Sequence, residues 1–255
     1  MLAVIKKNKV LNLSTDESAT AIKERVVNFS IVTNLGSFCI KQDAVPTGAF
    51  GAEKQADWLD KQIDKLEIGY KAEFGQDQDL PAINSVSTDT CSTMRSMWHY
   101  LRSKPRFQRT FFIPCDSHGI QLLIKDIITL DLFKDTMAMC NQIVAHFRLA
   151  QKQLALLRHY QREIYGKILA LTLAGNTRWG SQVGELKSLK RSMDALKRFA
   201  RDTQNECENA EILEALTDIL YWNDVDELLD ILLPINEAQI MSESSKGNLS
   251  QVYER

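Results

Sequence analysis

The sequence predicts an α/β fold followed by an all-α region, and three observations support this prediction. Residues 1–115 contain short alternating or β-branched segments separated by turn residues, a pattern typical of strands. From Ser117 onward the apolar residues recur at helical spacing. The 255 residues are 44% hydrophobic and 25% charged, which supplies one sizeable core or two smaller ones. We therefore expect a mixed sheet built as β-β-β-α-β-α-β, followed by helices.

The first three elements are predicted strands. Residues 10–15 alternate between apolar and polar side chains, and the segment ends at Asp16. Residues 26–33 are β-branched and aromatic, and residues 37–45 resume the alternation after the turn residues 34–36. This arrangement predicts a β-hairpin for the second and third strands.

The chain then returns to the sheet twice. Residues 52–68 have helical spacing and predict a surface helix, whereas residues 69–82 are polar, contain Gly and Pro, and predict a loop. Residues 83–88 predict a short strand, and residues 93–102 predict a helix with one apolar face. The continuous apolar run at residues 110–114 predicts a central strand.

The rest of the chain is predicted to be helical. Pro234 lies inside the last helical pattern and predicts a kink or a turn there. A turn-rich break separates the second and third helices at residues 175–180. The predicted helices cover residues 118–135, 137–163, 182–203, 209–221 and 224–241.

Composition limits the compartment and the class of protein. No apolar run approaches the roughly 20 residues that cross a bilayer, and the N-terminal residues do not resemble a secretory signal. The five cysteines are scattered, which predicts free thiols in a reducing compartment rather than a disulfide framework. We therefore expect a nuclear or cytoplasmic protein that is neither secreted nor bound to a membrane.

Charge is segregated along the chain although the net charge is only −2. Residues 141–201 hold 12 Lys and Arg against three acids, a net charge of +9, and residues 202–255 carry a net charge of −11. A basic segment of this kind is a candidate electrostatic footprint for nucleic acid. The alternative is a basic helix face that pairs with the acidic segment after it.

Two acids follow predicted strands, Asp16 after the first and Asp89 after the fourth. A right-handed crossover brings the fourth strand back parallel to the first, which places the two carboxylates close together. Such a pair repels unless a cation lies between them, and Mg²⁺ prefers oxygen ligands of this kind. A two-metal site for phosphoryl transfer would need a third acid. The alternative is that each Asp only caps a turn or a helix.

Several runs of residues, taken in order along the chain, form a further pattern. They are residues 13–16 (LSTD), 27–29 (VNF), 86–89 (VSTD), 115–127 (CDSHGIQLLIKDI), 154–158 (LALLR), 177–181 (TRWGS), 228–235 (LLDILLPI), 237–244 (EAQIMSES) and 251–253 (QVY). Together these runs resemble the hAT superfamily of transposases. The resemblance implies the N-terminal part of an RNase H-like catalytic core over residues 1–115, and an incomplete helical insertion over residues 116–255.

The resemblance implies a metal-dependent DNA cut-and-paste transposase with an Asp-Asp-Glu triad. Asp16 and Asp89 match the first two catalytic acids, which would bind Mg²⁺ or Mn²⁺. Cys115 and His118 match a Cys-x-x-His motif of the family. We expect this motif to be structural at a helix start, because a zinc site would need two further ligands at finger spacing.

The resemblance also implies DNA as a partner, in the form of transposon ends, a hairpin or flanking duplex. Arg178 and Trp179 match the Arg-Trp pair of the insertion, in which the Trp is associated with a flipped base. Lys187, Lys190 and Arg191 follow in the basic segment and are predicted DNA contacts. The alternative for Trp179 is a core or interface aromatic.

Departures from the family pattern lower the expected activity. Glu17 and Ser18 replace the usual Gly-Trp after the first acid, and Thr90 and Cys91 replace Asn-Ala after the second. In the family the catalytic Glu lies beyond the insertion, and this chain stops at Arg255 inside it. The family's N-terminal zinc finger and C-terminal dimerisation segment are absent, so oligomerisation stays open. We expect a truncated transposase derivative.

Three functions remain open at this stage. The first is an active nuclease or transposase, which the missing third acid opposes. The second, which we favour, is a DNA-binding transposase derivative that is catalytically incomplete. The third is a non-functional relic or a protein–protein interaction module without DNA binding, in which the basic and acidic helices pack together.

Overall fold

The chain divides into two compact units, Met1–Gly119 and Ile120–Arg255. In the described residues the first unit contains a five-stranded mixed sheet with helices, and the second is built from helices. This α/β architecture with a helical region agrees with the predicted fold class. The predicted turn at residues 34–35, Arg178, Trp179 and the run 251–253 lie outside the described part. The computed structural model describes residues 1–20, 22, 24–33, 36–45, 50–175, 180–203 and 209–243.

The first unit is built around the sheet. A short 3₁₀ turn at Pro105–Phe107 precedes the last strand. The strands are β1 (Val10–Ala19), β2 (Arg25–Thr33), β3 (Gly36–Ala44), β4 (Ala82–Thr88) and β5 (Phe111–Pro114). The helices are α1 (Leu2–Lys6), α2 (Ala52–Phe74), α3 (Ser92–Arg102) and the start of α4 (Asp116–Ile128).

The sheet has the strand order β3-β2-β1-β4-β5. The first three strands form an antiparallel meander, and β4 and β5 both run parallel to β1. The predicted hairpin and the predicted parallel return of the fourth strand are therefore confirmed. The parallel arrangement places the carboxyl ends of β4 and β5 at one edge of the sheet, beside the later part of β1.

Apolar alternation along the strands builds the core of the first unit. Phe29 and Ile31 on β2 and Leu13 on β1 point to the buried face, and their polar neighbours point away. Helix α2 covers that face with one apolar stripe. The stripe consists of Ala56, Leu59, Ile63, Leu66 and Tyr70.

Helices in the second unit enclose a separate apolar core. Phe147 and Phe199 meet edge to face at the centre, with ring centroids 4.9 Å apart. Val225 and Leu228 of the last helix are fully buried in the same cluster. The helices are α5 (Lys134–Leu149), α6 (Gln151–Tyr165), α7 (Ser181–Arg191), α8 (Met193–Asp202), α9 (Ala210–Thr217) and α10 (Ile219–Glu243).

Three sequence predictions for the first unit were wrong. β1 does not end at Asp16. It continues to Ala19, because Ala19 pairs with Arg25, the first residue of its antiparallel partner β2. The run at residues 110–114 forms an edge strand instead of a central one, and Phe111 is 68% exposed. Residues 69–74, predicted as loop, extend α2 to Gly75, where a φ of 112° ends the helix.

Helix boundaries in the second unit also differ from the prediction. The pattern over residues 137–163 is interrupted at Ala150, whose ψ of 85° is not helical. The pattern over residues 182–203 is interrupted at Ser192, whose buried hydroxyl accepts a hydrogen bond from Gln161 Nε2 at 3.0 Å. Apolar periodicity continues across both positions, so sequence spacing alone does not reveal them.

The last helix also differs from its predicted form. It begins at Ile219, because Asp218 Oδ1 accepts a hydrogen bond from the N–H of Leu220 and caps the first turn. No turn forms at Pro234, which lies inside the helix. Pro234 and Asp230 both face solvent, so water can bond the Asp230 carbonyl that the proline leaves without a donor.

Among the described residues, no helix is both long enough and apolar enough to cross a bilayer.

Candidate functional site

The strand register aligns the two predicted catalytic acids. The last registered pair of β1 and β4 is Ser14 opposite Ser87, and two further residues along each chain place Asp16 beside Asp89. Neighbouring strands lie about 4.8 Å apart, and residues in register point to the same face. The carboxylates of Asp16 and Asp89 therefore lie side by side in the first unit, at the end of the sheet where β4 and β5 terminate.

Cys115 belongs to the same row. The last registered pair of β4 and β5 is Thr88 opposite Pro114, so the next residues are Asp89 and Cys115. The N–H of Cys115 donates to the carbonyl of Thr88 at 2.7 Å and extends the ladder by one residue. The row across three parallel strands thus reads Asp16, Asp89, Cys115.

The Asp16 carboxyl interacts electrostatically with the groups around it. The pKa of the Asp16 carboxyl is raised, first because the surrounding protein desolvates it and then because the Asp89 carboxylate repels it. The N–H of Glu17 and the side chain of His118 lower the pKa in part. A cation placed between the two carboxylates would remove this repulsion, so the donor set fits a hard divalent ion.

Asp89 is held by groups that sequence reasoning did not identify. Its Oδ1 accepts a hydrogen bond from the N–H of Cys91 at 3.0 Å, which closes a local Asx turn. The buried Thr88 hydroxyl donates to the Asp89 carbonyl at 2.7 Å and accepts from Trp98 Nε1 at 3.0 Å. Trp98 therefore positions the segment, because an indole N–H in a partly buried site requires an acceptor.

Cys115 and His118 lie where β5 passes into α4. Desolvation raises the pKa of the Cys115 thiol, the N–H groups of His118 and Ser117 lower it, and the nearby Asp16 carboxylate raises it. Both motif residues are thus neighbours of the Asp16 carboxylate. Among the described residues, however, no group of three or more His, Cys, Asp or Glu side chains is arranged to hold a metal ion.

In the second unit, helix α7 presents the predicted basic contacts. Lys187, Lys190 and Arg191 have the spacing i, i+3 and i+4, so they share one face of the helix. Lys187 and Arg191 are exposed and Lys190 is partly exposed. With Leu229 and Leu233 of α10 they line an open pocket of about 380 Å³. We call this surface the basic pocket.

Most of the basic segment is not neutralised by the acidic one within the described residues. Lys190 forms an ion pair with Asp226, and Arg198 forms ion pairs with Glu163 at 3.0 Å and Asp202 at 3.5 Å. Lys187 and Arg191 have no carboxylate within 4.0 Å among those residues. Internal pairing therefore accounts for part of the charge pattern and leaves the rest to solvent or to a partner.

The predicted pair Arg178 and Trp179 lies outside the described residues, but both flanks are anchored. On one side, the N–H of Thr172 donates to Ser188 Oγ at 2.9 Å. On the other side, the N–H of Gly180 donates to Gln121 Oε1 at 3.3 Å. The ends of the segment that carries the Arg-Trp motif are thus attached to α7 and α4.

Gly180 is required by its own conformation and by a close neighbour. Its φ is 67°, and a Cβ built there would lie 2.4 Å from Oδ1 of the buried Asn236. We expect Gly180→Ala to destabilise the helical unit by about 1–2 kcal/mol, because a non-glycine residue is strained in the left-handed region. Urea unfolding followed by circular dichroism measures this change.

Gly184 supplies the matched control for that prediction. It lies in the interior of α7, and a Cβ built there meets nothing within 4 Å. Gly184→Ala should therefore stabilise the unit by about 0.5–1 kcal/mol, since Ala is the better helix former. Equal effects of the two substitutions would contradict a special role for Gly180.

Glu185 is a buried acid that sequence reasoning did not single out. Its side chain is 0% exposed, and neither carboxylate oxygen has a hydrogen-bonding partner among the described residues. Desolvation raises the pKa of Glu185 to about 7, and the nearby N–H of Ala174 offsets only part of this rise. A Glu between an apolar Val183 and Leu186 carries no sequence signal for burial, because charged residues usually face water.

Comparison with known proteins does not identify a family for this chain. Neither the protein-family models nor the curated proteins contain a match to it. The functional interpretation therefore rests on the residues and on the geometry described above.

Proposed function

We propose that this protein is a nucleic-acid-binding derivative of a hAT-type DNA transposase, with an RNase H-like core that is catalytically incomplete. The observation that carries the proposal is the register of Asp16 and Asp89 on adjacent parallel strands. The strand order β3-β2-β1-β4-β5, with an antiparallel meander followed by two parallel strands, supports an RNase H-like core.

Asp16 and Asp89 would hold a Mg²⁺ or Mn²⁺ ion. The raised pKa of Asp16 and its repulsion by Asp89 support a cation at this position. Such an ion neutralises charge on a phosphate oxygen when it is bound. The third acid of the family triad has no counterpart beside this pair among the described residues. The proposal is therefore binding, with little or no strand cleavage by this chain.

The basic pocket would take the phosphate backbone. Three cations on one face of α7 can contact successive phosphates, and Leu229 and Leu233 of α10 form an apolar wall beside them. Arg178 and Trp179 lie in the same basic segment of the sequence and are proposed as further DNA contacts. A large aromatic face beside an unstacked base is a recurring arrangement in DNA transactions.

Fluorescence anisotropy of a labelled hairpin-ended DNA duplex, with Mg²⁺ and at several salt concentrations, tests the proposal. Three phosphate contacts predict a slope of log K against log salt of about −2.7 or steeper. Trp179→Ala should weaken binding to the hairpin end by about 1–3 kcal/mol, which is the usual contribution of base–aromatic stacking.

The alternative function, a relic or a protein–protein interaction module, makes the opposite prediction. The ion pairs Lys190–Asp226 and Arg198–Asp202 favour it, because they neutralise part of the basic segment internally. Absence of binding at low salt would support this alternative. Binding that does not depend on salt would also contradict phosphate contacts through Lys and Arg.

The metal part of the proposal has its own prediction. Mn²⁺ at about ten times its Kd should stabilise the wild type by about 1.4 kcal/mol, or roughly 5 °C in melting temperature. Asp16→Asn should abolish most of this shift and should melt higher than the wild type without metal, because the repulsion from Asp89 is removed. Differential scanning fluorimetry with and without MnCl₂ measures both changes.

Glu17→Gln is the matched control for Asp16→Asn. Glu17 is the next residue on β1, so it faces the opposite side of the sheet, where it pairs with Arg25. It should keep the Mn²⁺ shift. An equal loss of the shift in both variants would show that Mn²⁺ responds to general negative charge instead of the Asp16–Asp89 site.

A further inference from the structure

Lys190, one of the three cations that line the basic pocket, already forms an ion pair with an acid of the same chain. Lys190 Nζ donates a hydrogen bond to Oδ2 of Asp226, which lies on the neighbouring helix α10. Both side chains are partly open to solvent, with 34% and 45% of their surfaces exposed. Asp226 lies one helical turn before Leu229, and Leu229 is the first residue of α10 that lines the pocket.

Lys187 and Arg191 differ from Lys190 in this respect. Within the described ranges they have no carboxylate within 4.0 Å, although they lie on the same face of α7. The pair between Lys190 and Asp226 also joins the basic segment to the acidic segment that follows it in sequence. At Lys190, a residue that lines the pocket, the basic segment is thus paired with the acidic one.

We propose that Asp226 competes with nucleic-acid phosphate for Lys190, so that the basic pocket is partly autoinhibited and opens fully only to a polyanion. This inference rests on the proposed function and adds its regulation. The Asp226 carboxylate occupies the position in which a phosphate oxygen would accept from Lys190. Binding must therefore break the pair, and the freed carboxylate then lies beside the phosphate and repels it.

The pair is suited to displacement because it is partly exposed. Exposed ion pairs are weak and are screened by salt, whereas a nucleic acid offers many phosphates and gains from the release of its counterions. A small monovalent anion has no such gain and leaves the pair intact. Asp226 therefore lowers affinity for all anions but excludes the small ones most effectively.

Asp226→Asn tests the proposal in the full chain, with the labelled hairpin-ended duplex as the probe. We expect about a two- to five-fold lower Kd at low salt, the range that corresponds to a weak exposed ion pair. Glu227→Gln is the matched control, since it removes one negative charge from the next position of α10 without breaking a pair to Lys190. It should change the Kd less than Asp226→Asn does.

The same two substitutions in a Lys190→Gln background isolate the contact. Without the Lys190 ammonium, Asp226→Asn and Glu227→Gln should change the Kd equally, because only general electrostatics remains. The inference is overturned if Asp226→Asn and Glu227→Gln have equal effects when Lys190 is present. If neither the wild type nor any variant binds the duplex at low salt, the proposed function itself fails, and this outcome is distinct from the previous one.

Discussion

Glu185→Gln is expected to stabilise the helical unit by about 3 kcal/mol above about pH 8, and to have little effect near pH 4. The carboxyl has a pKa of about 7 in the folded chain, against an ordinary value of 4.5. The unfolded chain therefore releases its proton at lower pH than the folded chain does. Each pH unit between the two values costs the folded state about 1.4 kcal/mol.

The direction of this pH dependence follows from the raised pKa. Below about pH 4.5 the carboxyl is neutral in both states and the penalty is absent. As the pH rises from about 4.5 to about 7, stability is progressively lost, because the folded chain must either keep a proton or bury a charge. Apart from the N–H of Ala174, the groups that face the carboxyl do not lower its pKa. Cys140 on α5 and Tyr221 on α10 are both neutral, and burial raises the pKa of Cys140 to about 12.

Urea unfolding of the wild type and of Glu185→Gln at several pH values from about 4 to 9 measures this effect. The two curves of unfolding free energy against pH should separate as the pH rises. Glu227→Gln, which removes an exposed carboxylate from α10, controls for the loss of one negative charge. Parallel curves for the wild type and Glu185→Gln would show that Glu185 is hydrated and that its burial is not maintained in solution.

Replacing Lys187 and Arg191 together by Gln is expected to weaken binding to the duplex by roughly fifty-fold at 0.1 M salt. Each lost phosphate contact lowers the slope of log K against log salt by about 0.9, which corresponds to a little under ten-fold in affinity at this concentration. The double variant should therefore have a slope flatter by about 1.8. Both residues are exposed and make no ion pair in the described part of the chain, so the fold should be retained.

Lys61→Gln with Lys65→Gln provides the matched control for the double replacement. These two residues are exposed on α2 at the spacing i and i+4, and their replacement removes the same charge from the first unit. Anisotropy at the same salt concentrations should give a slope within about 0.5 of the wild type. If both double variants lose affinity equally, binding depends on net charge and the basic pocket is not the site.

The sequence pattern correctly predicted those features of the first unit that depend on a single strand or turn. The β-branched and aromatic run of β2, the turn residues after it and the alternation of β3 predicted the hairpin, because these patterns are properties of single strands and turns. They did not predict the end of β1, which depends on how far the separate strand β2 continues beside it. The edge position of β5 was not predicted for a similar reason. A strand lies at the edge when no further strand pairs with it, here among the described residues, and this does not depend on the sequence of the strand itself.

For the candidate sites, too, the sequence predicted local features but not the contacts between separate elements. The sequence predicted that Asp16 and Asp89 both follow strands, whereas Asp16 lies inside β1. The crossover rule for parallel strands predicted that the two acids approach each other. It could not predict that Thr88 and Trp98 hold the Asp89 segment, because that contact joins residues on different elements. The break at Ser192, which Gln161 stabilises from another helix, was missed for the same reason.

By itself the sequence determined the order of the five strands and of the two helices between them, the segregation of charge and the residue types available for chemistry. Each of these depends on a residue and its near neighbours along the chain. The tertiary structure alone decided that Glu185 is buried without a hydrogen-bonding partner among the described residues, and that Lys190 forms an ion pair with Asp226. Burial and ion pairing depend on distances between helices that are far apart in sequence, and residue spacing within one helix carries no information about them.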